Sequence, residues 1–304
     1  MAVETRSAHP SLLWPGVAEN FGMEYKDKPE YWRRLFTELT STKHIEITAE
    51  HTFYGLAPTK SEGSSISYDQ AEESFRTTFQ TVTYGLGYLV TREAIEDGLY
   101  ENVANARASE LARSMRATKE TVHANIFKRA FNSSYLGGDG VTLCSTAHPT
   151  RSGNQSNRLT VDADLSEAAI EDAIKIIVNM KNPRAIKAEI MPRTLLVPVN
   201  EMFNAVRFVN STLRPSTSNN DVNAINDMNA LPDGTIVYPY LDSDDDAWFV
   251  LTDLKKGLKC FNRRDVDFDK DEDFGTENAR AKSTMRFVPG WDNWRCVVGS
   301  AGAG

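Results

Sequence analysis

The sequence predicts an α+β protein organised around one long hairpin and one long helix, and three patterns carry that prediction. Apolar residues alternate through residues 44–54 and again through 75–83, the period-2 signature of strands. A helical stripe crosses residues 99–131 without a Gly or Pro. Short apolar strands then alternate with amphipathic helices up to residue 252. At 304 residues the chain exceeds the usual size of a single core, so an elongated body or two linked subdomains is expected.

In chain order, residues 1–43 mix Pro10, Pro15 and Pro29 with Trp14, Trp32 and Phe36, which describes an arm that packs on something else, with a short helix near residues 30–39. Ile45, Ile47, Ala49 and Phe53 share one strand face, and Phe75, Thr77, Phe79, Thr81 and Thr83 another. Between them lies a tip rich in Gly, Pro and Ser (residues 55–65), with residues 66–73 in opposite parity, so a long hairpin with a flexible tip and a bent return is expected. A lone hairpin is marginal in water and needs a partner surface. The stripe Leu99, Val103, Ala106, Leu111, Met115, Val122, Ile126 and Ala130 predicts a rod of about 50 Å at ~1.5 Å per residue. Gly137, Gly138 and Gly140 stop it. Beyond, Asp164 is placed to cap a helix with Glu167 three residues on and Ile170, Ile174, Ile177 and Met180 inward. Residues 194–199 form a buried strand and 201–210 a helix with Phe203, Val206 and Val209 inward. Strands at 236–240 and 247–252 flank an acidic turn at 242–246, and residues 258–261, 281–288 and 294–298 close the chain as β structure.

Composition excludes several function classes. The net charge of -8 and pI near 5.3 oppose tight binding of a phosphate backbone. Charge is uneven, however: residues 101–135 carry three acidic against six basic side chains, so one face is expected to be mildly basic. Three widely spaced cysteines, Cys144, Cys260 and Cys296, give no disulfide framework and suit a reducing cytoplasm. Neither a secretion signal nor a run of about 18 apolar residues is present, so no membrane association is expected.

Candidate chemistry resolves to structural explanations. Asp265, Asp267, Asp269 and Asp271 resemble the start of a calcium loop, but the glycine position holds Lys270 and the bidentate position Thr276; alternate strand residues simply share a solvated face. Cys144 and His148 evoke a thiol hydrolase, yet sit in a Pro-ended loop without a visible orienting group. His9, His44, His51 and His123 are scattered singly, and the adjacent acidic pairs Glu72/Glu73 and Asp271/Glu272 point to opposite strand faces. The glycines lack the Gly-Lys-Ser/Thr ending of a phosphate loop. No catalytic, cofactor-binding or metal site is expected.

The order of parts, together with DGVTLCSTAHP (139–149) and its trailing residues 154–157, NDVNAIND (220–227), VYPYLDSDDDAWFVLTD (237–253) and RFVPGWDNWRCVVGSAGAG (286–304), resembles the tailed-bacteriophage major capsid proteins of the Hong Kong 97 type. That resemblance implies an N-terminal arm (1–43), an extended β-hairpin loop (44–90), a peripheral domain with a spine helix (91–159), an axial domain (160–254) and closing strands of the peripheral domain (255–304). It implies self-assembly into hexamers and pentamers of an icosahedral shell in the virion, formed in the host bacterial cytoplasm around double-stranded DNA contacted non-specifically. Scaffolding, portal and decoration proteins are the implied partners, with scaffolding supplied separately or cleaved off since the arm starts near Met1. Subunit contacts are expected at Trp14, Trp32, Phe53, Pro58, Lys60, Tyr68, Phe75 and Phe79. Lys60 at the tip is expected to be a solvated loop lysine and not a cross-linking one. The rival readings are the shell of a cellular nanocompartment and a Cys/His hydrolase.

Overall fold

A computed structural model describes residues 14–91, 93, 100–214, 221–241, 246–272 and 278–303. The chain divides into two compact units, one of residues 1–45, 80–123 and 260–288, the other of 46–79, 124–259 and 289–304. In order, the elements are α1 (Trp14–Lys26), α2 (Trp32–Leu35), β1 (Thr37–Thr40), β2 (Ile45–His51), β3 (Glu73–Gln80), β4 (Val82–Val90), α3 (Tyr100–Lys128), α4 (Glu167–Asn179), β5 (Pro192–Val197), α5 (Met202–Asn210), α6 (Ala224–Asp227), β6 (Thr235–Val237), β7 (Trp248–Thr252), β8 (Leu258–Glu272), β9 (Ala279–Trp291) and β10 (Val297–Ser300).

The first unit is a sheet ordered β1-β8-β9-β4 with helices packed on it. β9 has the alternation of a half-covered strand, with Ala279, Ala281, Ser283, Met285 and Phe287 all buried. It runs antiparallel to β4, from Val82 opposite Phe287 to Val90 opposite Ala279. Within the stretch expected as an arm, residues Trp14–Lys26 form a helix that the sequence reading did not place. Pro15 suits a first helical turn, and Val17 and Phe21, four apart, point inward, Phe21 meeting Phe268 at 4.9 Å between ring centres. Asn20 donates to the Asn105 carbonyl and to Ser109 Oγ, both at 3.2 Å. The helix expected near 30–39 shrinks to Trp32–Leu35, because the chain turns extended at Phe36 and enters the sheet.

Helix α3 has 29 residues, a length of about 43 Å. Its buried seam differs from the expected stripe. Ala104, Ala108, Leu111, Met115, Lys119 and His123 are buried, whereas Ala106 is exposed and Val122 and Ile126 are half-covered. Leu99 lies outside the described residues. Small alanines allow close approach at one end, and aromatic neighbours accept two polar side chains at the other. His123 stacks on Trp32 at 4.6 Å and on Phe287 at 5.4 Å, with Phe36 edge-on at 4.9 Å, and Nδ1 faces the Lys119 carbonyl at 2.7 Å.

The second unit holds the sheet β10-β7-β5-β6. β10 is antiparallel to β7, β7 antiparallel to β5, and β5 parallel to β6. The β5/β7 register shifts between Pro192 and Thr194, where proline has no N–H to give the ladder. α4 lays Ala169, Ile170, Ala173 and Ile177 on a core shared with Leu195, Val197, Trp248, Val250 and Val298. Its cap is Ser166, whose Oγ accepts from the Ala169 N–H at 3.2 Å; the expected cap, Asp164, instead accepts from the Ala303 N–H at 2.7 Å. In α5 the inward residues are Ala205 and Val209, whereas Phe203 and Val206, expected inward, are exposed. A 3-10 turn at Val199–Glu201 delays the helix start, and the small Ala205 takes the place nearest the core. The acidic turn at 242–246 lies outside the described residues except for Asp246.

Burial lowers the His123 imidazole to about 3, so this ring is neutral in the folded protein. An unfolded chain takes up a proton near pH ~6.5 while the folded one does not, so stability is full above that pH and falls as pH drops towards 3, by at most about 1.4 kcal/mol per pH unit. His123→Phe is expected to flatten the stability profile between pH 6.5 and 4 in denaturant titrations of the unassembled protein.

Candidate assembly surface

The hairpin β2/β3 leaves its apolar face uncovered. Ile45 and Ile47 are exposed while Glu46 between them and Thr48 and Glu50 after them are half-buried, the reverse of a strand packed on its own core. Residues 53–72 carry no strand and are exposed throughout, including Phe53, Pro58 and Lys60, with Leu56 at 80% and Tyr68 at 93% exposure. Of the other expected contact residues, Phe75 is half-buried. Phe79 is buried against the backbone of Gly290, and Trp32 is fully enclosed within its own chain. The side chain of Trp14 lies outside those described.

Polar contacts hold the tip on its base. At the strand ends Thr52 N–H donates to the Glu72 carbonyl at 2.8 Å, and Glu72 N–H returns to Thr52 Oγ1 at 2.8 Å. Asp69 accepts from the Gly55 N–H at 2.7 Å and from Arg184 Nη1 at 2.6 Å, and Arg151 reaches Glu72 at 2.9 Å. The Gly55 N–H and then the Arg184 guanidinium hold the Asp69 carboxyl down to about 2. The buried Arg295 guanidinium joins strand β2 to the body, donating to Glu50 at 2.7 Å and to the Lys181 carbonyl at 2.9 Å while lying over the Trp294 ring.

Beneath the hairpin, the segment 139–157 is ordered by a buried side-chain network. Asn157 is fully buried; its Nδ2 lies 2.7, 3.0 and 2.9 Å from the carbonyls of Leu143, Trp294 and Val297. Its Oδ1 accepts from the Ser145 N–H at 2.8 Å and faces His148 Nε2 at 2.9 Å. The other ring nitrogen of His148 meets Asp139 at 2.7 Å, and the ring stacks on Trp294 at 4.3 Å. Gly138 lets strand β3 pack closely on this segment, since a Cβ there would stand 2.6 Å from the Arg76 carbonyl oxygen.

Cys144, the candidate nucleophile, is entirely buried, and burial pushes its thiol well above the ordinary range. With His148 committed to Asp139 and Asn157, the pair is scaffolding for this loop and not a thiolate with its base. The glycine run after α3 is a turn: Gly137 N–H donates to the Val141 carbonyl at 2.7 Å, and Gly140 takes φ +75°. The aspartates of β8 are exposed; Asp269 pairs with Lys282 at 3.1 Å and Asp265 accepts from Asn262. Thr276 lies outside the described residues. His44 meets Gln80 and Arg286, and Glu73 pairs with Arg76.

Asn157→Ala is expected to cost about 3 kcal/mol or more, because several buried groups lose partners at about 1–3 kcal/mol each, read as a lower denaturation midpoint. Asp69 has a depressed carboxyl, so its tether is fully present above pH ~4 and lost as pH falls through about 2. Arg184→Ala is expected to raise the Asp69 titration midpoint and to speed hydrogen exchange at the Gly55 amide.

Residues 73–300 match the model of the phage capsid protein family. No curated protein sequence matches the chain. Among solved structures, the capsid of Cyanophage P-SCSP1u is similar with a TM-score of 0.59 and 10% identity over 91% of this chain and 89% of that one. The virus-like particle of Pyrococcus furiosus gives 0.56 and 11% over 93% and 97%. Mycobacterium phage Bobi gives 0.55 and 14% over 91% of each chain. With its mixed sheets, long helix and extended hairpin, the chain belongs to the phage capsid protein family and has the Hong Kong 97-like fold, a structural protein of the virion shell.

Proposed function

We propose that the protein is the major capsid protein of a tailed phage, assembling as hexamers and pentamers into an icosahedral shell that encloses double-stranded DNA. The observation that carries this reading is the uncovered apolar face of the hairpin. Large contiguous apolar exposure marks a surface meant for a partner, and burying it stabilises by roughly 25 cal/mol per Å². Phe53, Pro58, Lys60, Tyr68 and Phe75 would rest on a neighbouring copy, and the exposed Phe203 and Val206 of α5 offer a second contact. In this reading residues 1–43 are the arm, 44–90 the extended loop, 91–159 and 255–304 the peripheral domain, and 160–254 the axial domain. Scaffolding, portal and decoration proteins act as partners during assembly in the host cytoplasm. The acidic balance suits a container that holds DNA without gripping it.

A second reading, a cellular nanocompartment shell, draws on the likeness to the virus-like particle of Pyrococcus furiosus. Nuclease-resistant double-stranded DNA inside shells purified from their native source separates the two. The protein expressed alone or with its scaffold is expected to form capsomers or large particles by electron microscopy; persistent monomers under all such conditions contradict the assembly role. Deleting residues 58–65 is expected to leave circular dichroism and thermal melting nearly unchanged while abolishing closed shells.

A further inference from the structure

Helix α3 carries a buried lysine that no carboxylate among the described residues pairs with. Lys119 is only 4% exposed, and its Nζ sits 4.4 Å from the centre of the Trp32 ring and 5.6 Å from that of Phe287. Aromatic faces offset part of the cost of burying an ammonium, but they leave its N–H directions unused. Among the described residues Nζ has no hydrogen-bond or ion-pair partner, and the side chain lines a cleft of about 590 Å³ within the first unit. That volume falls in the range of about 300–1,000 Å³ typical of ligand sites.

The rim of the cleft adds Lys26, Lys28 and Arg33, against two acidic side chains, Glu30 and Asp265. Both acids are already engaged. Glu30 is paired with Arg33, which also reaches Glu38, and Asp265 accepts from Asn262. Glu120, next to Lys119 in sequence, receives the backbone N–H groups of Tyr31 at 2.7 Å and Trp32 at 3.2 Å. The cations left over are three lysines, compact point charges with three donors each. Among the described residues lining the cleft no arginine fork is left free to select a planar carboxylate, so the donor set suits a tetrahedral oxyanion of multiple charge.

We propose that this cleft, floored by Lys119 and rimmed by Lys26 and Lys28, is a binding site for phosphate groups. The same chemistry fits free inorganic phosphate and the phosphodiester of a nucleic acid. It gives the basic bias of α3 a local destination in a chain that is acidic as a whole. The site does not depend on what the shell encloses.

The test is calorimetric titration of the full chain with sodium phosphate, with sodium chloride and sodium acetate at matched ionic strength as controls, and with a short DNA duplex as a second probe. Lys119→Met keeps the apolar stem between the rings and removes the charge. Phosphate is expected to bind the wild-type protein and to bind Lys119→Met about ten- to a hundredfold more weakly, the factor for one charge-assisted hydrogen bond. A matching loss for the duplex, with competition by phosphate, identifies the phosphodiester as the source. An unaltered duplex affinity identifies free phosphate. The site is overturned if Lys119→Met binds phosphate as the wild type does, or if phosphate acts no differently from chloride or acetate. Should circular dichroism show Lys119→Met to be unfolded, the exposed double variant Lys26→Gln/Lys28→Gln decides, and wild-type phosphate affinity in it overturns the assignment.

Discussion

The second unit depends on the amide of Asn157. Its nitrogen meets three carbonyls, two of them in the C-terminal segment at Trp294 and Val297, while its oxygen receives Ser145 and faces His148. A buried amide with every donor and acceptor used fixes one geometry, since any other arrangement leaves polar atoms unpaired where water cannot replace the bond. That geometry places Trp294 under the His148 ring and Arg295 beside Glu50, which roots the hairpin. A polar knot well inside the molecule thus governs where an apolar surface emerges from it.

The molecule therefore inverts the usual division of labour twice. Polar groups at Asn157, His148, His123 and Lys119 lie in its interior, whereas Ile45, Ile47, Leu56 and Tyr68 face outward. Interior polar groups buy specificity at some cost in stability, as their hydrogen-bond directions admit few alternatives. Outward apolar groups do the reverse. They leave free energy unclaimed in the single chain, available when a second surface covers them.

Much of the architecture was legible in the sequence because it rests on local periodicity. The long helix, the paired strands of the hairpin and the alternation of β9 all announce themselves at periods of 3.6 or 2. Failures came where tertiary context chose between faces. The stripe assigned to α3 counted only apolar residues, so Lys119 and His123 were invisible until Trp32 and Phe287 came to lie against them. Phe203 and Val206 are apolar at helical spacing, yet Ala205 takes the core position because its size allows the helix to approach. The cap at Ser166 and the burial of Trp32 likewise depend on neighbours remote in sequence. In the sequence Asn157 stands out only as the end of a family-like string. Nothing in its local pattern reveals that Trp294 and Val297 would converge on it.

Each compact unit is stitched from three separate stretches of chain. In the first, β1 near the beginning lies beside β8 near the end, and Ser41 donates to the Asn262 carbonyl at 2.9 Å. In the second, β10 forms one edge of the lobe's sheet. Neither unit can close until its third stretch, residues 260–288 or 289–304, has joined the first two, so before then only local pieces such as α3 have the contacts to form. Such high contact order slows folding, and it carries a benefit for a chain that bears a sticky hairpin: the hairpin acquires its rooted, presentable form only once the stretch holding Arg295 has come to lie beside Glu50.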